Sequence, residues 1–199
     1  YAAGFTETSL DDQTNNGLSD ALLVKYDNAG NKLWTRLLGT YTYDQVNGSI
    51  GIDSSGNVYI AGWTRATLSD QIFVGGDDSF IAKYTSSGAR QWVRQWGSPS
   101  TDDGFALAVR GNNVYVVGQT NGSIEGQPNL GSYDAFVTRF DLGGTRIWTR
   151  QLGGSGFDAA KAVAIDSDGN SYLTGSAETS LGGETNAGGQ DVVVAKYDC

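Results

Sequence analysis

The chain contains no histidine and no methionine, two prolines, and a single cysteine, Cys199, in last place. Each scarcity removes a class of chemistry. Without histidine there is no Ser-His-Asp or Cys-His nucleophile system and no imidazole-bound metal. One thiol permits neither an internal disulfide nor a cysteine metal site, and so little cysteine fits the cytosol or the outside of a bacterium equally well. No apolar run is long enough to cross a bilayer as a helix, and none reads as the apolar stretch of a signal peptide. No segment sustains apolar spacings of three and four, so essentially no helix is expected. Basic residues are the minority sign, 13 against 22 acidic, for a net charge of -9. Phosphate backbones are bound by neutralising them with Lys and Arg, so no nucleic-acid partner is expected. The glutamates Glu7, Glu125, Glu178 and Glu184 are scattered through linkers and form no legible acid/base couple. No Gly-rich phosphate loop opens a helix.

What the chain does have is repetition. Tyr1, Tyr59, Tyr115 and Tyr172 lie 58, 56 and 57 residues apart. Gly4, Gly62, Gly118 and Gly175 repeat those intervals, as do Asp20, Asp78, Asp134 and Asp191. Trp34, Trp92 and Trp148 form a further column. A fixed period of this length signals units that bury their faces against their neighbours. Each unit holds four short runs rich in Val, Ile, Tyr, Phe, Trp and Thr, exemplified by AVAID (162–166), SYLTGSA (171–177), DAFVTRF (134–140) and TRIWTRQL (145–152). Turn segments such as DSSGN (53–57) and DSDGN (166–170) join one pair, and DNAG (27–30), TSSG (85–88) and DLGG (141–144) the other. Asp can accept from the amides ahead of it, and Gly takes the positive φ that a tight hairpin needs. Each unit is therefore two hairpins in series, a four-stranded antiparallel sheet.

Such units, repeated, predict an all-β protein, a β-propeller with four-stranded antiparallel blades. Within a blade the strands are termed A to D, with the small AVAID-type strand A innermost and the Trp-bearing strand D outermost. A β-helix would have a shorter repeat, and a β-sandwich would not repeat its sequence. The line DAFVTRFDLGGTRIWTRQLGG (134–154), with AVAIDSDGNSYLTGS (162–176), resembles the SBBP-type bacterial β-propeller repeat. The resemblance covers nearly the whole chain. It implies a propeller in a secreted or cell-surface bacterial protein, and it implies no defined activity. The third unit departs from the pattern, with Arg110 in place of the turn Asp and SPSTDD (98–103) in place of the Gly-rich linker, so a local change of turn is expected there. The 199 residues form one repeat array of about three and a half blades, with a partial blade at 1–39, blades at 46–97 and 104–152, and a partial blade at 160–199. Strand A of the first and strand D of the last fall outside it. A segment of a longer propeller is the favoured reading, and a half-ring closed by a second copy is the alternative, because propellers protect their edges by closing.

Candidate sites are few. Asp44, Asp102 and Asp158 lie in the D-to-A linkers, and Asp20, Asp78, Asp134 and Asp191 open strand C. Both linker classes emerge on one face, where carboxylates ringing the axis could hold Ca²⁺ through oxygen. The weightier expectation is that these aspartates bond local amides and fix the linkers. DSDGN resembles the opening of a calcium loop but lacks the distant bidentate Glu. The longest linkers, 65–77, 120–133 and 177–190, crown the same face, where recognition usually resides. Trp63 occupies a column otherwise filled by Phe5, Gln119 and Ser176, so the repeat does not demand it; it either stacks on a sugar or packs under its linker. Trp34, Trp92, Trp148 and the arginines Arg36, Arg94 and Arg150 recur and are expected to pack structurally. Lys25, Lys83, Arg139 and Lys196 are expected at solvated strand positions.

These observations predict a non-catalytic extracellular or cell-surface module, with the periplasm as the alternative setting. It would be structural or would bind a protein partner or further blades, with no resident cofactor or metal. A carbohydrate- or calcium-binding module built on Trp63, Asp44, Asp102 and Asp158 is the alternative. A propeller-type lyase or hydrolase ranks last, because such chemistry wants His or converging acid–base pairs.

Overall fold

The computed structural model describes residues 1–199, with fifteen strands and no helix. The first sheet comprises β1 (Ala2–Thr6), β2 (Asp20–Tyr26) and β3 (Lys32–Leu38), in the order β1-β2-β3. The second holds β4 (Asp44–Gln45) and β5 (Ile50–Ile52) side by side on β6 (Val58–Thr64), then β7 (Asp78–Tyr84) and β8 (Arg90–Trp96). The third runs β9 (Asp102–Arg110), β10 (Asn113–Thr120), β11 (Asp134–Phe140) and β12 (Arg146–Leu152). The fourth is β13 (Asp158–Ile165), β14 (Ser171–Ala177) and β15 (Asp191–Tyr197). All ladders are antiparallel, and all join sequence neighbours except that β4 pairs β6 beyond β5. This is a partial β-propeller whose sheets read B-C-D, A-B-C-D, A-B-C-D and A-B-C.

The turns follow the residues that form them. In the second sheet Asp53 Oδ1 accepts from the Ser55 and Asn57 amides, both at 2.9 Å, and Gly56 turns the chain at φ 77°. The same arrangement recurs at Asp166 with Gly169 and at Asp27 with Gly30. Where Arg110 replaces that aspartate, β9 runs directly into a shorter turn at Gly111, φ 59°.

Strand A extends further than its apolar stretch suggests. Asp44, Asp102 and Asp158 are its first residues rather than part of the linkers. Each backbone amide there donates to a carbonyl of the preceding sheet, at Ser19 (2.8 Å), Asp77 (2.6 Å) and Tyr133 (2.7 Å) respectively, and that bond extends the strand beyond its hydrophobic pattern. Further along, every complete strand A bulges. Register shifts at Phe105 in β9, opposite Gly118 of β10, and at Lys161 in β13, and pairing lapses between Gln45 and Ile50 in the second sheet. The glycine column explains the bulge's position. A methyl on Gly62, Gly118 or Gly175 would overlap the carbonyl of Gln45, Asp103 or Ala159.

The core lies between sheets. Ala21, Leu23 and Leu38 of the first sheet pack on Val58, Ile60 and Phe80 of the second. Tyr59, Ile81 and Trp96 meet Leu107, Val116, Phe136 and Phe140 of the third. Tyr115, Val117 and Val137 meet Ala160 and Leu173 of the fourth. The A strands β5, β9 and β13 touch in succession, so the sheets converge on that side.

The recurring Trp and Arg of strand D and the Lys of strand C reach the next sheet's C–D turn. Lys25 Nζ and Trp34 Nε1 both donate to Ser86 O, at 2.8 and 3.3 Å, and Arg36 Nε donates to Gly88 O at 2.7 Å. One sheet later, Lys83 Nζ donates to Leu142 O at 3.0 Å and Arg94 Nε to Gly144 O at 2.8 Å. Lys25 and Lys83 are therefore clamps rather than solvated positions, because the neighbouring turn presents bare carbonyls within reach of their stems. Arg150 bonds only its neighbour Thr149 O. Arg94→Ala is accordingly expected to cost about 1–2 kcal/mol of stability, and Arg150→Ala under about 0.5 kcal/mol, both read from urea midpoints at unchanged m.

Candidate functional site

The six aspartates that face the linker side ahead of the axis are enclosed. Asp44, Asp102 and Asp158 are each 0% exposed. Asp44 Oδ2 accepts from the Thr40 amide (2.6 Å) and Thr40 Oγ1 (2.8 Å), while Oδ1 accepts from Thr64 Oγ1. Asp102 repeats this with Ser98 N, Ser98 Oγ and Thr120 Oγ1. At Asp158 both hydroxyls are lost, to Gly154 and Ala177; Oδ2 takes the Gly154 amide at 2.7 Å and Oδ1 has no donor. Asp20, Asp78 and Asp134 each accept from the amide four residues earlier, at Asn16, Val74 and Leu130. Burial pushes the carboxyls of all six upward, Asp102 to about 6. Asp44 and Asp102 thus spend both oxygens on linker and strand donors, the fixing role. They do not present an open ring of cation ligands. The Asp166 carboxylate is likewise filled, by the Asp168 and Asn170 amides, Asn170 Nδ2 and the Tyr172 hydroxyl.

A different set of residues gathers on the same face. Trp63, half-buried on β6 opposite Gln45, lies beneath Arg65. The Arg65 guanidinium sits 5.3 Å from the ring centroids of both Trp63 and Tyr43, and its Nε donates to Asp77 Oδ1 at 2.6 Å. One face of the Trp63 ring is covered by the cation of Arg65, the first residue of the linker 65–77. Asp103 Oδ2 accepts from Gln119 Nε2 at 3.0 Å, and Gln119 Oε1 has no donor. Burial raises the Asp103 carboxyl, and Asp77 adds to that, while Lys161 and Arg65 oppose it, so the four charges share one electrostatic neighbourhood. Lys161 Nζ stands 3.6 Å over the Phe105 ring; burial lowers its amine and Asp103 counters.

Phe105 and Lys161 are the bulge residues of β9 and β13, turned out of their ladders by the close approach at Gly118 and Gly175. Asn47 is the matching residue of the second sheet. The composition-based reading missed this column, although the signal was present: Asn47, Phe105 and Lys161 stand three residues after Asp44, Asp102 and Asp158 and share no chemistry. Positions that hold the scaffold repeat, and these do not. Three sheets therefore contribute three aromatic rings, two cations and two carboxylates to one rim. The rim has no nucleophile beside a base; it can stack, pair charges and donate hydrogen bonds.

The comparisons agree with the architecture. A β-propeller repeat model, SBBP, matches residues 33–68 and 147–180. The regulatory protein FlaEY of Caulobacter vibrioides is 29% identical over 190 residues, covering 86% of this chain and 19% of that protein. A WD repeat-containing protein of Acanthamoeba polyphaga mimivirus is 25% identical over 183 residues, covering 72% of this chain and 13% of that protein. The chain thus spans under a fifth of the length of either relative. Four antiparallel sheets meeting along their A strands are the arrangement that this match to the SBBP β-propeller repeat implies.

Proposed function

We propose that this propeller segment is a non-catalytic interaction module that docks a protein partner on its linker face, centred on Trp63, Arg65, Phe105 and Lys161. The observation that carries the reading is the contrast between columns. Scaffold residues recur from sheet to sheet, while the rim mixes Trp, Tyr, Phe, Arg and Lys drawn from three sheets. Trp, Tyr and Arg dominate interface hot spots because they offer large rigid area and charged hydrogen bonds. The similarity to a regulatory protein of Caulobacter vibrioides is in keeping with recognition rather than turnover. We further propose an extracellular or cell-surface setting in a bacterium, which rests on the resemblance to the SBBP repeat alone.

The test compares two variants in cross-linking capture from the native host. Trp63→Ala/Lys161→Glu removes the rim's stacking and inverts one charge; Asn28→Ala changes a turn on the opposite face. A partner captured by the wild type and by Asn28→Ala, and reduced at least about tenfold by the rim variant, supports the reading. Equal capture by all three sinks it. Calcium or glycan binding that depends on Trp63 would favour the alternative, and recovery of the native protein only from cytosol would remove the extracellular setting.

A further inference from the structure

Asparagine precedes glycine three times, at Asn16-Gly17, Asn47-Gly48 and Asn121-Gly122. In such a pair the glycine nitrogen can close on the side-chain carbonyl carbon of the asparagine, because glycine has no Cβ to obstruct the approach and its backbone turns freely. The attack requires that the glycine amide give up its proton and that the asparagine side chain swing onto it. An amide already donating a hydrogen bond is held back on the first count, and a side chain tied to its neighbours on the second. Two of the three pairs are restrained in both ways. The Gly17 amide donates to Asn15 Oδ1 at 2.8 Å, while Asn16 donates to Asp20 Oδ2 through its own amide (3.1 Å) and through Nδ2 (3.4 Å). The Gly122 amide donates to Thr120 Oγ1 at 3.0 Å, and Asn121 Oδ1 accepts from the Thr101 amide at 2.7 Å. Both glycines also lie against neighbouring chain: a Cβ at Gly17 would overlap the carbonyls of Thr40 and Thr42, and one at Gly122 would overlap Ser98 Oγ.

Gly48 is restrained in neither way. It stands where pairing lapses between Gln45 and Ile50, so its amide enters no ladder, and it donates to no other group of the chain. Nothing lies within 4 Å of the place a Cβ would take, and φ is 79°. Asn47 is exposed. The flanks are fixed: Val46 is only 1% exposed, and Ser49 Oγ accepts from the Leu107 amide at 2.6 Å. Asn47 and Gly48 therefore project as an unpaired bulge between two anchored residues.

We infer that Asn47 is a modification site, at which the folded protein deamidates spontaneously and ahead of its other Asn-Gly pairs. The Gly48 nitrogen bonds to Asn47 Cγ, the bond from Cγ to Nδ2 breaks, and the proton from the Gly48 amide leaves with Nδ2 as ammonia. Water then opens the cyclic succinimide at either carbonyl, leaving aspartate or isoaspartate; no oxidant or reductant takes part. The product exchanges a neutral amide for a carboxylate in the column that holds Phe105 and Lys161. Isoaspartate lengthens the backbone by one carbon, and it does so where no ladder bond exists to be broken. Where the rim docks a protein partner, the change adds a negative charge beside the docking surface and so dates it; the modification itself does not rest on that reading.

The test incubates the whole folded chain in mildly alkaline buffer and follows the amide-to-acid mass gain at each site by peptide mapping, with a parallel incubation in urea. In the folded chain Asn47 is expected to convert at least about tenfold faster than Asn16 or Asn121, the equivalent of one hydrogen bond to the attacking amide. In urea the three rates are expected to converge, since the residue pair is the same at all three places. Asn47→Gln is expected to remove the fast mass gain and leave the slow ones unchanged. Equal rates at the three sites of the folded chain overturn the inference, as does faster conversion at Asn16 or Asn121. So does a folded-state preference for Asn47 that persists undiminished in urea, because the cause would then be sequence rather than fold. No partner enters the measurement, so failure of the docking reading and failure of this site are told apart.

Discussion

Trp96→Ala is expected to lower the free energy of unfolding by about 3–5 kcal/mol, the range for emptying a large aromatic from a closed core. Trp96 ends β8 and is only 3% exposed. Its ring lies 4.9 Å from Phe140 and 6.4 Å from Phe136, edge to face, across the junction between second and third sheets. Truncation leaves a hole bounded by two rings of the neighbouring sheet, neither of which can move in without breaking its own ladder. The indole Nε1 has no acceptor, so the loss is one of packing rather than of a hydrogen bond. Leu38 and Leu152 hold the matching place in the first and third sheets. Trp96→Leu should therefore recover part of the loss, leaving a deficit of about 1–3 kcal/mol. Urea unfolding at constant m measures both. A Trp96→Ala midpoint within error of wild type would show that the sheets do not pack as described.

Acidification from pH 8 to about pH 5 is expected to stabilise the protein. The cause is the set of buried carboxyls at the starts of strands A and C. Burial raises Asp102 to about 6 in the folded state, while an unfolded Asp ionises near 3.9. Between those values the folded protein binds the extra proton, so stability falls as pH rises and the deficit is complete above the folded pKa. For Asp102 alone the difference is at most about 3 kcal/mol. Asp20, Asp44, Asp78, Asp134 and Asp158 are shifted in the same direction. Opposing them, Asn31 holds Asp27 below its ordinary value and Asn170 does so for Asp166. Stability from those two is lost only as pH falls through their own lowered pKa values. The stability maximum should therefore sit near pH 4, where the unfolded aspartates begin to take up protons. Thermal melts across pH 4–8 check this, and Asp102→Asn should flatten the upper part of the curve. A monotonic rise in stability from pH 5 to 8 would refute the account.

Stability and recognition occupy different columns of the repeat. Residues that clamp, cap or fill the core recur because each junction poses the same problem. Asp53 and Asp166 make the same turn, and Lys25 and Lys83 grip the same carbonyls one sheet apart. The rim depends on a departure from that uniformity, with Asn47, Phe105 and Lys161 at one bulge position.

The sequence by itself determined the period, the two hairpins per unit and the strand order, because turn chemistry and alternation act between residues close along the chain. Asp before Gly makes its turn whatever lies beyond it, and the Tyr, Gly, Asp and Trp columns carried the architecture. Only the tertiary structure decided that Asp44, Asp102 and Asp158 are sealed inside strand A, because the bond that extends the strand comes from the sheet before. It alone decided that Lys25 and Lys83 reach carbonyls 61 and 59 residues away. It alone brought Trp63, Phe105 and Lys161 to one rim, since their meeting depends on the angle between sheets and on the bulges that turn Phe105 and Lys161 out of their ladders. Those are distances across the chain, which no local pattern encodes.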